Sequence, residues 1–299
     1  MILQPIASSS AGASLVPVQT CNLRLSLSST DPAPSSDITA ATSVYALPFQ
    51  GNQIALHDGS DWQLASFTSA SLSTTSLTAA KLHDVFGYLS GGTLALEALA
   101  WSNDTTRATA IATHDGIAVK SGDSTRRLLG TFYAFDDSGT TKTCDTAGGV
   151  SSGGTQARRF LCNLNNRLPR PCFVGDDSDS WTYGSNAWRA ANNSSAMRVS
   201  FVQADSLYPA EAINAQNFAP SGNAIIGIGV DTTTAAASGV SSLWNGTSIC
   251  QTVAAWRGHL APGLHYLAAL EFMMTGSATF YGDLGGWPIQ SGLLATVWC

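Results

Sequence analysis

Gly91-Gly92-Thr93-Leu94-Ala-Leu-Glu-Ala-Leu-Ala-Trp101-Ser-Asn103-Asp104 is the stretch on which the fold class turns. Alanine, leucine and glutamate are strong helix formers, so residues 94–101 in isolation read as a helix. The flanks say otherwise. Two glycines before and Asn-Asp after leave room for a short apolar run between turn signals, which is the pattern of a strand. Its neighbours read the same way: residues 43–49, 52–56, 62–67, 82–88 and 116–120 are β-rich runs bounded by Gly, Asn, Asp or Ser clusters. The second half continues at residues 196–203, 224–230, 252–256, 263–274, 278–281 and 293–298. There Met197, Val199 and Phe201 alternate onto one face. Residues 263–274 are apolar on nearly both faces, as in a strand covered on both sides or lying against another subunit. The expected fold is all-β with two β domains, the C-terminal one an antiparallel jelly-roll sandwich.

Composition narrows the function. Of 299 residues only 11% are charged, against roughly 25% in an average soluble domain. A net charge of −6 argues against nucleic-acid binding, and 44% hydrophobic residues argue against disorder. No run approaches the ~20 apolar residues of a membrane helix, so no membrane insertion is expected. The N-terminus lacks a basic segment and carries Pro5 in its apolar run, so no signal peptide is read there. Residues 1–20 hold Pro5, Pro17 and three consecutive serines, which suits an extended arm. The six cysteines form no C-x-x-C pair; without a secretion signal, free thiols are expected, Cys162 and Cys172 included. The polar stretch 136–154 reads as a long mobile loop. Pro169, Pro171 and the acidic turn after Gly175 mark a boundary near Val174. The expected domains are residues 21–174 and 175–299.

Motifs for catalysis are weak. There is no G-x-S-x-G, H-E-x-x-H or phosphate-binding loop, and Gly227-Ile-Gly229 lacks the third glycine of a dinucleotide fingerprint. His57-Asp58-Gly59 and His114-Asp115-Gly116 read as turns of two similar hairpins rather than as metal ligands. Asp176, Asp177 and Asp179 fail the calcium-loop spacing, with Trp181 and Ala187 where glycine and an acid are required, and read as a solvated turn. No metal, no cofactor and no enzymatic activity are expected. Trp181, Tyr183, Trp188, Trp256 and Trp287 are the candidates for stacking on glycan rings, core packing being the competing reading for each.

Leu23-Arg-Leu-Ser-Leu-Ser-Ser-Thr-Asp-Pro-Ala-Pro-Ser-Ser-Asp-Ile-Thr-Ala-Ala-Thr42 and Tyr45-Ala-Leu-Pro-Phe-Gln-Gly-Asn-Gln-Ile-Ala-Leu-His-Asp-Gly-Ser-Asp-Trp62 resemble the opening of a family of tailed-bacteriophage virion structural proteins. The resemblance is strongest in Trp101-Ser-Asn-Asp-Thr-Thr-Arg107 and in His114-Asp-Gly-Ile-Ala-Val-Lys-Ser-Gly-Asp-Ser-Thr-Arg-Arg-Leu-Leu-Gly-Thr-Phe132. It continues through Asn166-Arg-Leu-Pro-Arg170 and Ser180-Trp-Thr-Tyr183. Cys144, Cys162, Cys172 and the length of the polar stretch 136–154 depart from the family's pattern. What the resemblance implies is a non-enzymatic virion component of the tail-fibre, spike or head-fibre type, assembled in the bacterial cytoplasm. It would be a homotrimer docked by residues 1–20 on other virion proteins, with the C-terminal domain facing a host-surface glycan. Leu264, Tyr266, Leu270 and Phe272 of the doubly apolar run are then the candidate trimer interface. A head fibre or capsid decoration without a receptor role, and a lectin or glycan-degrading enzyme, are the alternatives.

Overall fold

Two glycines at positive φ, Gly91 and Gly92, close a two-residue hairpin turn between the strands Lys81–Ser90 and Thr93–Ala100. The helix-prone stretch is therefore a strand, with Leu94 opposite Leu89 and Ala98 opposite Val85. The computed structural model describes residues 16–242, 248–285 and 290–299. Their regular structure is all β apart from the short 3-10 helix Ala191–Asn193. Asp115-Gly116 is likewise a two-residue turn, with both residues at positive φ. Asp58-Gly59 begins a four-residue loop whose Asp58 carboxylate accepts the Ser60 and Asp61 amides. The two turns meet. The His57 and His114 rings lie 4.7 Å apart, and the Trp62 indole donates to Asp115 Oδ2 at 3.0 Å.

A three-stranded sheet of Leu23–Ser26, Ser43–Pro48 and Ala70–Ser73 covers one core, built on Leu23, Leu25, Ile54, Leu56, Leu129 and Phe132. Each such side chain contributes roughly 1.5–3 kcal/mol on burial. A large mixed sheet, of fourteen strands among the described residues, then joins the two halves. The strand Asp123–Asp137 links its N-terminal part, and the parallel pair Ala157–Arg159 with Arg198–Gln203 carries it into the C-terminal half. Facing it in that half is a second sheet ordered Gly148–Ser151, Pro169–Asp176, Gly292–Trp298, Ala210–Pro220, Ala278–Tyr281 and Trp181–Tyr183. The C-terminal half is thus a sandwich of two sheets over a core that includes Val199, Phe201, Leu267 and Val297.

The boundary expected near Val174 falls inside the strand Pro169–Asp176, and the main core draws on Leu82 and Trp101 as well as on Val199 and Val297. The prolines do not break this strand. Pro169 and Pro171 share the parity of Phe173, whose amide points to the Ala147 side, so the ladder to Gly292–Trp298 loses no donor. The polar stretch 136–154, expected as a long mobile loop, instead forms the strands Thr140–Thr146 and Gly148–Ser151. Ser138 and Gly139, both at positive φ, turn the chain tightly, and threonine's branched side chain suits the strand that follows. Asp176 is no solvated turn residue. It is fully buried, accepts the Gly153 and Ser178 amides on Oδ1, and accepts Asn192 Nδ2 on Oδ2. Residues 1–15 of the expected arm lie outside the described residues. Residues 16–20 are held against the body, where Arg127 donates to the carbonyls of Val18 and Thr20.

Cys21, Cys144, Cys162, Cys172 and Cys299 form no disulfide among the described residues. Cys172 stands beside Arg159, whereas Cys162 is hydrogen-bonded to Cys299. Burial pushes the Cys144 thiol up to about 12 and raises Cys172; the hydrogen bond that Cys299 donates to Cys162, and then burial, raise Cys299. All five of Cys21, Cys144, Cys162, Cys172 and Cys299 are buried, so alkylation of the native protein is expected to leave them unlabelled. Alkylation after denaturation without reduction should label all five. A linked Cys162–Cys172 peptide in the mass spectrum would contradict this.

Candidate functional site

The aromatic residues singled out from the sequence are occupied by the protein itself. Trp181 stacks on Phe280 with 5.9 Å between ring centroids, and its indole N–H donates to Glu271 Oε2 at 2.8 Å. Tyr183 is buried, donates its hydroxyl to the Ala187 carbonyl at 2.6 Å and carries the Arg189 guanidinium 3.9 Å above its ring. Trp188 rests on Phe272 at 5.1 Å and crosses Gly227, where a Cβ would lie 3.0 Å from the indole. At Gly229 a Cβ would lie 2.1 Å from the Thr232 carbonyl oxygen, so this Gly-x-Gly serves close packing. Trp256 packs against the main core and over Gly258. Trp287 lies outside the described residues. The structure therefore brings Trp181 and Tyr183 together around Arg189 and Glu271, sets Trp188 on Phe272 and leaves Trp256 apart.

The candidate interface residues also separate. Leu270 is completely buried within the chain, so its apolar character is explained by the core and it presents no surface to a partner. Phe272 is half-covered by Trp188. Leu264 and Tyr266 do face outward, onto the wall of a groove.

That groove, of about 640 Å³, crosses the outer face of the long sheet at the junction of the two halves. Three adjacent strands build its floor. Tyr266 pairs with Ser200, and Ser200 in turn with Arg158. Across from Tyr266 stand Tyr133 and Phe135, two residues apart on Asp123–Asp137 and backed by Phe160 in edge-on contact at 5.0 and 6.3 Å. Arg198 lies 5.0 Å from the Tyr266 ring, Gln156 donates to Ser200 Oγ at 2.5 Å, and Asp104, Asp136 and Asp231 complete the rim. Within the roughly 300–1,000 Å³ typical of small-ligand sites, the groove sets charged and polar groups among ring faces. A second groove, about 430 Å³ on the outer face of the facing sheet, is lined by Ile213, Ala255 and Leu294 beside the exposed Glu211–Arg257 pair. It offers little but apolar surface.

One end of the larger groove carries His265. Its Nδ1 donates to Asp231 Oδ2 at 2.7 Å and its Nε2 to the Ala261 carbonyl at 2.8 Å, an arrangement that suits the imidazolium. Burial works against the charged ring, but the hydrogen bonds to Asp231 and Ala261 outweigh it and raise the imidazole above its ordinary 6.5. A group raised in the folded state contributes stability that is fully present below the unfolded value and lost as pH climbs through the folded one. Urea unfolding between about pH 6 and about pH 9 should thus show stability falling through this window, and Asp231→Asn should flatten the fall. An unchanged slope in the variant would remove His265 as its source.

The sequence reading missed this groove because its residues come from six separated segments. The one local signal was the alternation that puts Tyr133 beside Phe135 and Leu264 beside Tyr266 on one face.

Neither a protein-family model nor a curated protein matches the chain. Among solved structures it is similar to the functional form of the mosquito-larvicidal Cry4Aa toxin of Bacillus thuringiensis, at 8% identity over 86% of this chain and 49% of that one, with a TM-score of 0.23. The insecticidal delta-endotoxin Cry8Ea1 of the same organism gives 8% identity over 93% of this chain and 52% of that one, also at 0.23. The chain spans about half the length of these structures, and a likeness at that score transfers no property of the toxins to it.

Proposed function

We propose that the chain is a non-enzymatic structural component of a bacteriophage particle, of the tail-fibre or spike type. The observation that carries this reading is the role of its most distinctive motifs, which act as framework. In Trp101-Ser-Asn-Asp-Thr-Thr-Arg107, Arg107 lies over the Trp101 ring at 4.4 Å, pairs with buried Asp84 at 2.8 Å and donates to the Ala204 carbonyl of the other half. Asp84 in turn accepts the Thr131 hydroxyl from Arg-Arg-Leu-Leu-Gly-Thr131. In Asn166-Arg-Leu-Pro-Arg170, the Asn166 amide donates to the carbonyls of Cys21 and Leu23, and Arg170 bridges Asp145 and the Pro34 carbonyl. Residues so engaged hold distant strands together and are withdrawn from chemistry on a substrate.

Self-association as a homotrimer belongs to the same proposal. Ile213 and Leu294, paired across neighbouring strands, share an exposed outer sheet face with Val253, and a second copy is the occupant that a charge-poor virion protein suggests. Light scattering of the purified protein should give about three times the monomer mass, and a clean monomer or dimer would refute the trimer. Particle incorporation is tested separately. Antibody raised against the recombinant chain should label intact particles in electron micrographs and find the chain in their purified protein. Particles that carry their other structural proteins without this chain would overturn the virion reading.

A further inference from the structure

We infer that the groove between Tyr266 and the Tyr133–Phe135 wall is a binding site for a neutral oligosaccharide. Three features on its surface converge on that chemistry. The first is ring area: Tyr266, Tyr133 and Phe135 are each only partly covered and face one concavity, so they can meet the apolar C–H faces of sugar rings. The second is the pairing of unused donors with unused acceptors. Among the described residues the Arg198 guanidinium has the Tyr266 ring as its side-chain partner and makes no hydrogen bond. The carboxylates of Asp104 and Asp136 accept none. A hydroxyl both donates and accepts, so a polyhydroxylated ligand satisfies the two sets together. The third is charge. Asp104, Asp136 and Asp231 stand against Arg158, Arg198 and His265, a balance that favours neither an anion nor a cation.

The site differs from the aromatic positions Trp181, Tyr183 and Trp188, where the rings are already stacked on Phe280, Arg189 and Phe272. It does not rest on the virion reading, since particle labelling is read out without any sugar.

The test is an array printed with cellohexaose, maltoheptaose, chitohexaose and O-chain oligosaccharides from bacterial lipopolysaccharide, followed by calorimetry with whichever compound binds. Tyr266→Ala is expected to weaken that binding at least about tenfold, the loss of one stacked ring. Asp136→Asn, an exposed change that leaves the fold intact, is expected to weaken it several-fold, and Leu64→Ala outside the groove should leave it unchanged. Failure of the folded protein to bind any of these sugars would overturn the proposal. So would binding that survives both Tyr266→Ala and Asp136→Asn at full strength.

Discussion

Arg127→Ala is expected to lower the free energy of unfolding by about 3–5 kcal/mol, from carbonyls stripped of their donor together with the cavity left behind. Arg127 is among the largest fully buried side chains of the molecule. Its Nη1 donates to Val18, Thr20 and Ala55 at 3.0, 3.0 and 2.8 Å, and Nη2 to Gln19 at 3.4 Å. Burial lowers the guanidinium from its ordinary value, yet it stays charged, because arginine begins so far above neutral pH. One side chain thus fastens the segment before Cys21 to the hairpin strand Gln53–His57. Urea unfolding followed by tryptophan fluorescence would measure the loss, and a loss below about 1 kcal/mol would mean that water replaces the guanidinium at no cost.

A comparable loss, about 3–5 kcal/mol, is expected for Glu271→Ala, which leaves the Arg189 guanidinium and the Trp181 N–H facing an empty acceptor position. Glu271 is wholly buried between the sheets, with Oε1 2.6 Å from Arg189 Nε and Oε2 2.8 Å from Trp181 Nε1. Burial dominates and raises its carboxyl above the ordinary 4.5 despite both partners. For an acid shifted upward, the folded state holds the proton more tightly than the unfolded chain. Its contribution is fully present below about 4.5 and lost as pH rises through the folded value. Glu271→Gln cannot titrate, so its stability should stay flat across that window while the natural protein's declines. Parallel curves for the two would place the titration elsewhere.

Most strands were legible where one face is clearly apolar. Residues 196–203 and 263–274 were read close to Arg198–Gln203 and Gly263–Met273, because alternation or double-sided burial marks them. Ala210–Pro220 was hidden: its buried positions include Asn214, Gln216 and Asn217, polar side chains whose amide groups donate to the Gly227 carbonyl, to Asn214 and to Ser291. Asp123–Asp137 escaped for a related reason, since Arg126 and Arg127 interrupt its apolar pattern although Arg127 is core. The groove was less legible still. Beyond the local alternation at Tyr133 and Tyr266, nothing in the spacing of Tyr133, Arg158, Arg198 and Tyr266 links them, and only the closure of the sheet across both halves puts them side by side.

The strand Gly292–Trp298 sits between Pro169–Asp176 and Ala210–Pro220, pairing with both, and of the described strands it is the last to leave the ribosome. Until it arrives, the two flanking strands each present an unpaired edge, open to pairing with another nascent chain. The second sheet therefore cannot close before this strand is made. It must wait for a partner made more than seventy residues after Ala210–Pro220 begins, and such distant pairing makes folding slow. Cooler expression or a holdase chaperone should raise the yield of native protein, and a chain stopped before Gly292 should be recovered as aggregate rather than as a folded half.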